Sequence, residues 1–174
     1  MISLKNLNWP IKVFFITFFL AALFSGATNL IADFHIIALI IVLLVVVFIG
    51  IIFDMIGVAA LTSKKENFHA MASKKIKGAK EAINLINNAN MVASVCNDIV
   101  GDICGIVSGG FGAILAITIA SKLDASIVVV TIIVTAIISS LTVGGKAIGK
   151  TIAIKHSDKI IFRVARIKKM LSIK

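Results

Sequence analysis

Four long stretches of the sequence carry no charged residue, and they constrain the fold more than any other feature. They cover 13–32, 36–53, 103–121 and 125–145 and contain 20, 18, 19 and 21 residues. A helix needs about 20 apolar residues to cross about 30 Å of hydrocarbon. Hydrophobic residues make up 59% of the chain and charged residues only 15%, which excludes an ordinary water-soluble domain. The sequence therefore predicts an all-α integral membrane protein with a single domain, 1–174.

We predict four membrane spans, at about 11–31, 36–61, 91–121 and 125–147. The first apolar stretch has an alternative interpretation as a signal peptide, with lysines as its basic flank. That stretch is longer than a signal peptide requires, and no good small-residue cleavage site follows it. A membrane span is therefore the favoured interpretation of the first stretch.

The distribution of basic residues predicts the orientation of the spans. The formal net charge is +10, and placing both termini inside puts 17 of the 18 lysines and arginines on the cytoplasmic side. Cytoplasmic loops of membrane proteins carry this excess of positive charge. The prediction is a multi-pass protein of the cell (inner or plasma) membrane. Its basic surface is expected to face an anionic inner leaflet rather than nucleic acid.

Two basic segments, 63–90 and 155–174, show the apolar spacing of amphipathic helices. In the first, the apolar positions are Phe68, Ala72, Ile76, Ala79, Ile83 and Ile86. In the second, they are Ile160, Val164, Ile167 and Leu171. Basic helices of this type lie in the headgroup layer or cap a bundle. This interpretation is favoured over a calmodulin-type or nucleic-acid site.

Four ionisable residues fall inside the spans or at their inner ends: Asp54, Asp98, Asp102 and Lys146. Such residues are costly in a membrane and require a partner or a function. Counting residues along each span places all four in the cytoplasmic half, together with Asn97. Three acids and one base leave a charge of −2, which a divalent cation bound by these oxygens would neutralise. In the alternative, without an ion, Lys146 pairs with one acid, a second acid is protonated and Asn97 bridges helices.

Small residues mark two further places in the spans. Gly101, Gly105 and Gly109 form a GxxxGxxxG strip, which allows close helix packing within the bundle or across a homodimer seam. Glycines at positions 144, 145 and 149 predict a bent or locally opened helix end around Lys146. Irregular backbone at membrane depth is tolerated where it lines a cavity, as a polar pocket would require.

The sequence does not predict an enzyme. It contains no HExxH, GxSxG or cofactor-binding loop and no nucleophile paired with a base. The Gly-Lys-Thr at 149–151 is not a P-loop, because it lacks the preceding strand and the first glycine of that motif.

The order of these parts resembles the transmembrane domain of the CNNM and CorB/CorC family of magnesium and cobalt transport proteins. That domain has a Ser-Gly-x-Glu-Thr-Ala-Leu-like span end, a Gly-Ala-Lys segment, a Gly-Asn-Asn span and a final Gly-Glu-x-x-Pro-Lys. The counterparts here are the stretch 53–61, Gly-Ala-Lys at 78–80, Cys-Asn-Asp at 96–98 and Gly-Lys-Ala-Ile-Gly-Lys at 145–150. The resemblance covers about 40–155, with the first span as an N-terminal addition and without the CBS domains that usually follow.

In that family, a Ser, an Asn and a Glu from three spans are associated with a dehydrated magnesium ion at a dimeric core. The resemblance places Asp54 at the Ser position, Asn97 at the Asn position and Lys146 at the Glu position. Asp102, within Gly101-Asp102, is an alternative counterpart of the family asparagine. The resemblance thus implies a dimeric membrane domain that transports or binds a divalent cation such as Mg²⁺. Asp54, Asn97, Asp98 and Asp102 would be its ligands and Lys146 its counter-charge. The alternative is a non-transporting structural or interaction protein whose pocket is filled by Lys146.

Overall fold

The computed structural model describes residues 8–30 and 35–171, and the regular secondary structure in these residues is helical throughout. The helices are α1 (Asn8–Leu30), α2 (Ile36–Thr62), α3 (Lys65–Ser73), α4 (Ala79–Asn87), α5 (Ala89–Ala93), a π-helix (Ser94–Val100), α6 (Gly101–Leu123), α7 (Ile127–Lys155) and α8 (Ser157–Leu171). The predicted all-α class is therefore confirmed.

Three continuous helices are long and apolar enough to cross a membrane: Ile36–Thr62, Ala89–Leu123 and Ile127–Lys155. They correspond to the predicted second, third and fourth spans. Large apolar side chains are exposed along them, among them Ile41 at 56% and Phe48 at 63%. An exposed apolar surface of this extent is typical of contact with lipid.

The first predicted span stays a prediction. Helix α1 has 23 residues, but the apolar stretch identified in its described part, Trp9–Leu23, is shorter than a span. Residue 31 at the end of that predicted span lies outside the described residues, as do residues 172–174 of the second basic segment.

The expected opening of the chain around Gly145 and Gly149 is wrong. Helix α7 continues without interruption to Lys155, beyond the predicted end at 147. The two glycines instead allow close packing against α2. A Cβ at Gly149 would lie 2.8 Å from Cγ of Met55, and a Cβ at Gly145 would overlap Cδ1 of Ile51. The absence of a side chain at these two glycines therefore allows close approach of α7 to α2.

The described residues form two compact units. The first contains the chain up to Gly50 and Asp102–Val143, and the second contains Ile51–Gly101 and the chain from Gly144 onward. In the first unit, a Cβ at Gly50 would lie 3.0 Å from Cβ of Cys104. The predicted site residues Asp54, Asn97, Asp98 and Lys146 belong to the second unit, whereas Asp102 belongs to the first.

The second unit has its own hydrophobic core, to which the basic segments contribute. Its buried members are Ala59, Ala60, Phe68, Ala82, Leu85, Ile86, Ala153, Ile161 and Ala165. Helix α4 packs against α3 and α8. Because five of the nine members are alanines, the helix backbones approach each other closely.

The first basic segment is not one helical face, contrary to the pattern in the sequence. It forms two short helices separated by a turn, in which Lys75 and Gly78 have φ values of 54° and 97°. A left-handed residue interrupts the 3.6-residue period. Ile76 therefore lies in the turn and is 39% exposed, whereas Phe68 before it is fully buried.

The apolar face of α8 agrees only in part with the prediction. Ile160 and Val164 of the predicted face are partly buried against the core. The structure buries Ser157, Ile161 and Ala165, whereas Ile167 and Leu171 of the predicted face are 58% and 76% exposed. The face that meets the core is therefore centred on Ile161 and Ala165.

Asp158 at the start of α8 caps the N-terminus of α3. Its carboxylate accepts hydrogen bonds from the backbone N–H of Lys64 at 3.2 Å and from Nδ2 of Asn67 at 2.6 Å. Lys64 is the N-cap residue of α3 and provides no side-chain cap of its own. A carboxylate at this position also interacts favourably with the helix dipole.

We therefore expect Asp158→Ala to destabilise the protein by about 1 kcal/mol, the usual net contribution of a hydrogen bond to stability. Asp158→Asn keeps an accepting oxygen and should cost less. Thermal unfolding in detergent micelles measures both variants. Melting of Asp158→Ala at the wild-type temperature would show that this cap contributes no stability.

Candidate metal site

Asp54 on α2 is a carboxylate buried in a membrane-spanning helix. Its side chain is only 5% exposed and lies 3.8 Å from Nζ of Lys150, measured to Oδ2. The same Oδ2 has no hydrogen-bond partner among the described residues. Burying an ionised carboxylate in apolar surroundings costs free energy unless opposite charges or hydrogen-bond donors surround it. One distant ammonium leaves Asp54 able to accept a further ligand.

Asn97 places a second buried oxygen without a hydrogen-bond partner against α2. Its carboxamide lies against Gly57, where a Cβ would overlap Oδ1 and approach Cγ at 2.8 Å. This Oδ1 is buried and has no hydrogen-bond partner among the described residues. Gly57 follows Asp54 by three residues, so the two positions lie one helical turn apart on the same side of α2. Asp54 and Asn97 thus place two buried oxygens without hydrogen-bond partners beside neighbouring turns of α2.

A π-helical segment, Ser94–Val100, carries Asn97. In its wider turn, the N–H of Gly101 donates to the carbonyl oxygen of Cys96, five residues earlier. Such segments within α-helices often occur at functional sites. The sequence did not predict this segment, and its only sign there is the polar pair Asn97-Asp98 in an apolar span.

The other two predicted acidic ligands are exposed in the described chain. Oδ2 of Asp98 accepts a hydrogen bond from the hydroxyl of Ser94 at 2.8 Å, on its own helix. Asp102 lies in the first turn of α6, with an exposed side chain. Residues 8–30 and 35–171 contain no group of three or more His, Cys, Asp and Glu placed to hold a metal. A metal at Asp54 would therefore rely on the amide oxygen of Asn97 as well.

The lysine that pairs with Asp54 is Lys150, whereas the expectation named Lys146. Nζ of Lys146 lies instead 3.5 Å from the position of a Cβ on Gly101. The two lysines are four residues apart and share one side of α7. The Lys146 ammonium group therefore lies beside Gly101 rather than beside Asp54.

The glycine strip of the third span divides into parts with different surroundings. Gly105 and Gly109 have no atom within 4 Å of an added Cβ, and both are exposed. Gly112, farther along α6, packs closely on Cδ1 of Ile138 at 2.5 Å from an added Cβ. Gly105 and Gly109 are therefore not used for packing within the described chain.

Comparison with known families identifies the architecture that carries this site. The family model for the cyclin M transmembrane N-terminal domain (CNNM) matches residues 39–173. The chain belongs to the CNNM family. A search of curated proteins and a search of solved structures find no match.

Membership of the CNNM family agrees with the three apolar helices and shows a membrane protein. The family is associated with divalent-cation transport and is not known as an enzyme family. The match includes α8 and almost all of the second basic segment. The resemblance seen in the sequence ended earlier, at about residue 155.

The close approach of Asn97 to Gly57 can be tested without a metal. We expect Gly57→Ala to displace the carboxamide and to destabilise the protein by about 1–3 kcal/mol, the usual cost of overpacking. Gly144→Ala is the matched control, because a Cβ there meets no atom within 4 Å. That control should be neutral or stabilising by up to about 1 kcal/mol, since alanine favours helix. Equal melting temperatures for the two variants would contradict the packing of Asn97 on Gly57.

Proposed function

We propose that this CNNM domain binds a divalent cation of the magnesium type at Asp54 and Asn97 and carries it through the membrane. The observation that carries the proposal is the pair of buried oxygens without hydrogen-bond partners, Oδ2 of Asp54 and Oδ1 of Asn97. Carboxylate and amide oxygens are the ligands that Mg²⁺ accepts, usually together with several water molecules. Family membership supports the same function.

In this proposal, Lys150 balances the charge of Asp54 while no cation is bound. The Lys150 side chain is 51% exposed, so its ammonium group can move into water as a cation approaches. The exchange replaces a long ion pair by direct contact between Asp54 and a divalent ion. Asp98 and Asp102 are exposed carboxylates on the same span. In this proposal their negative charge attracts the cation towards the membrane domain.

A non-transporting interaction protein is the second candidate, because a lysine already pairs with Asp54. In this version the ammonium group of Lys150, rather than that of Lys146, occupies the place of the ion permanently. The two candidates differ in what happens when Lys150 is removed.

We also propose that the domain is a homodimer. Asp102, Gly105 and Gly109 lie at steps of three and four on α6, and all three are exposed. A carboxylate in a membrane-spanning helix is costly where it faces lipid, whereas glycines favour close helix contact. A second copy covering this face would remove Asp102 from lipid and use both glycines.

The proposed orientation follows the basic residues. Both termini and both basic segments would lie on the cytoplasmic side of the cell membrane, because these parts carry nearly all lysines and arginines. An even number of spans, including α1, brings the termini to the same side. The anionic inner leaflet is then the neighbour of α3, α4 and α8.

The metal site is tested by Mg²⁺-dependent thermal stability in detergent, with flux into proteoliposomes as a second measurement. A ligand at 100 times its Kd stabilises the folded state by about 2.7 kcal/mol. We expect Asp54→Ala and Asn97→Ala to remove this stabilisation. Unchanged Mg²⁺ stabilisation and unchanged flux in both variants would overturn the proposal.

Lys150→Ala separates the two candidates. If Lys150 competes with the cation, the variant should be less stable without Mg²⁺, should recover in Mg²⁺ and should bind Mg²⁺ more tightly than the wild type. If Lys150 fills the pocket permanently, the variant leaves Asp54 buried and unpaired, and Mg²⁺ does not restore its stability. Lys146→Ala serves as the control, because that lysine contacts Gly101 instead.

The homodimer is tested by replacing a glycine of the proposed interface with a bulky residue. Gly105→Leu and Gly109→Leu should shift the protein from dimer to monomer, because a bulky side chain separates the helices at a small-residue interface. Gly144→Leu is the control, since Gly144 also has open space around it. Light scattering of the purified protein in detergent measures the mass. A dimer of unchanged stability in both variants would place the interface elsewhere.

A further inference from the structure

A cleft of about 300 Å³ lies where α7 ends and α8 begins, apart from the candidate metal site. One side of it is basic and the other is apolar. It is lined by Met55, Ile152, His156, Lys159, Ile160 and Arg163. All six residues belong to the second unit.

The basic side of the cleft has unneutralised positive charge. Among the described residues, the ion pairs are Lys150 with Asp54 and Lys169 with Glu81. Lys159 and Arg163 take part in neither. The acid nearest in sequence, Asp158, is directed to α3, where it accepts its two hydrogen bonds. An anion entering the cleft would therefore meet cations and no competing carboxylate from the lining.

The apolar side of the cleft continues along α7. Ile152 follows Ile148 by four residues, so both lie on the same helix face. They are 44% and 66% exposed, in a helix long enough to cross the membrane. A ligand that fits both sides has an anionic head and an apolar tail.

We propose that this cleft binds one anionic phospholipid from the leaflet that borders the basic segments. Its phosphate lies between His156, Lys159 and Arg163, and an acyl chain lies along Ile152 and Ile148. Arginine and lysine are the usual phosphate partners, and basic pockets beside membrane helices bind anionic headgroups. The rest of the basic surface attracts the leaflet without selecting a single molecule, whereas this cleft holds one lipid. The proposal does not depend on cation transport.

The experiment is native mass spectrometry of the full chain, released from micelles that contain phosphatidylglycerol or phosphatidylcholine. We expect the wild type to retain one phosphatidylglycerol in preference to phosphatidylcholine. Lys159→Ala/Arg163→Ala should weaken that binding at least about tenfold, because it removes the charge-assisted contacts to the phosphate. Lys74→Ala/Lys77→Ala is the matched control, because both residues are exposed and it removes the same charge. It should bind phosphatidylglycerol as the wild type does.

Two further measurements test whether the bound ligand is a lipid with an acyl chain. Ile152→Asn should weaken phosphatidylglycerol binding if an acyl chain lies on the apolar side. Inorganic phosphate and glycerol phosphate, which have no acyl chain, should not displace the lipid at equal concentration. Melting temperatures verify folding, and Lys159→Gln/Arg163→Gln replaces the alanine variant if that variant unfolds.

Three results would overturn the proposal. The first is an equal loss of lipid in the Lys74/Lys77 control, which would mean diffuse attraction. The second is that inorganic phosphate displaces the bound phosphatidylglycerol as effectively as free lipid does, which would mean that the cleft is a site for free phosphate. The third is unchanged retention of phosphatidylglycerol in Lys159→Ala/Arg163→Ala.

Discussion

The structure depends on one constraint: a carboxylate, Asp54, is buried in a helix that crosses a membrane. Apolar surroundings do not stabilise its charge, so neighbouring elements must bring cations or donors to it. Lys150 comes from α7, at 3.8 Å. Asn97 reaches the next turn of α2 from the π-helical segment, yet its Oδ1, like Oδ2 of Asp54, has no hydrogen-bond partner among the described residues. A site with more acceptors than donors is suited to a cation.

Close helix contact makes this arrangement sterically possible. Gly57 provides the space for Asn97, and Gly145 and Gly149 allow α7 to approach α2 on the side chains of Ile51 and Met55. In lipid, small residues contribute more to helix association than apolar side chains do, because the solvent is itself apolar. The glycines of the second unit therefore position the ionisable groups as well as the helices.

Much of the architecture was predictable from the order of apolar and charged residues. Three spans and a basic amphipathic helix at the C-terminal end agree with the structure. Asp54, Asn97, Asp98 and Asp102 were named as ligands from their polarity and from the family resemblance. The predicted face of α8 was only partly right, since Ile160 and Val164 pack against the core but the buried residues are Ile161 and Ala165. The counter-charge could not be assigned either, because Lys146 and Lys150 lie on one side of the same helix and differ only in what they contact.

The sequence alone determined the class, three of the spans and the polar residues inside them, because transfer of about 20 apolar residues into hydrocarbon depends on composition and not on partners. Only the tertiary structure decided which of those polar residues meet. The π-helical turn, the space above Gly57 and the choice of Lys150 all depend on contacts between segments distant in the chain. Side-chain spacing within one helix contains no information about the helix opposite.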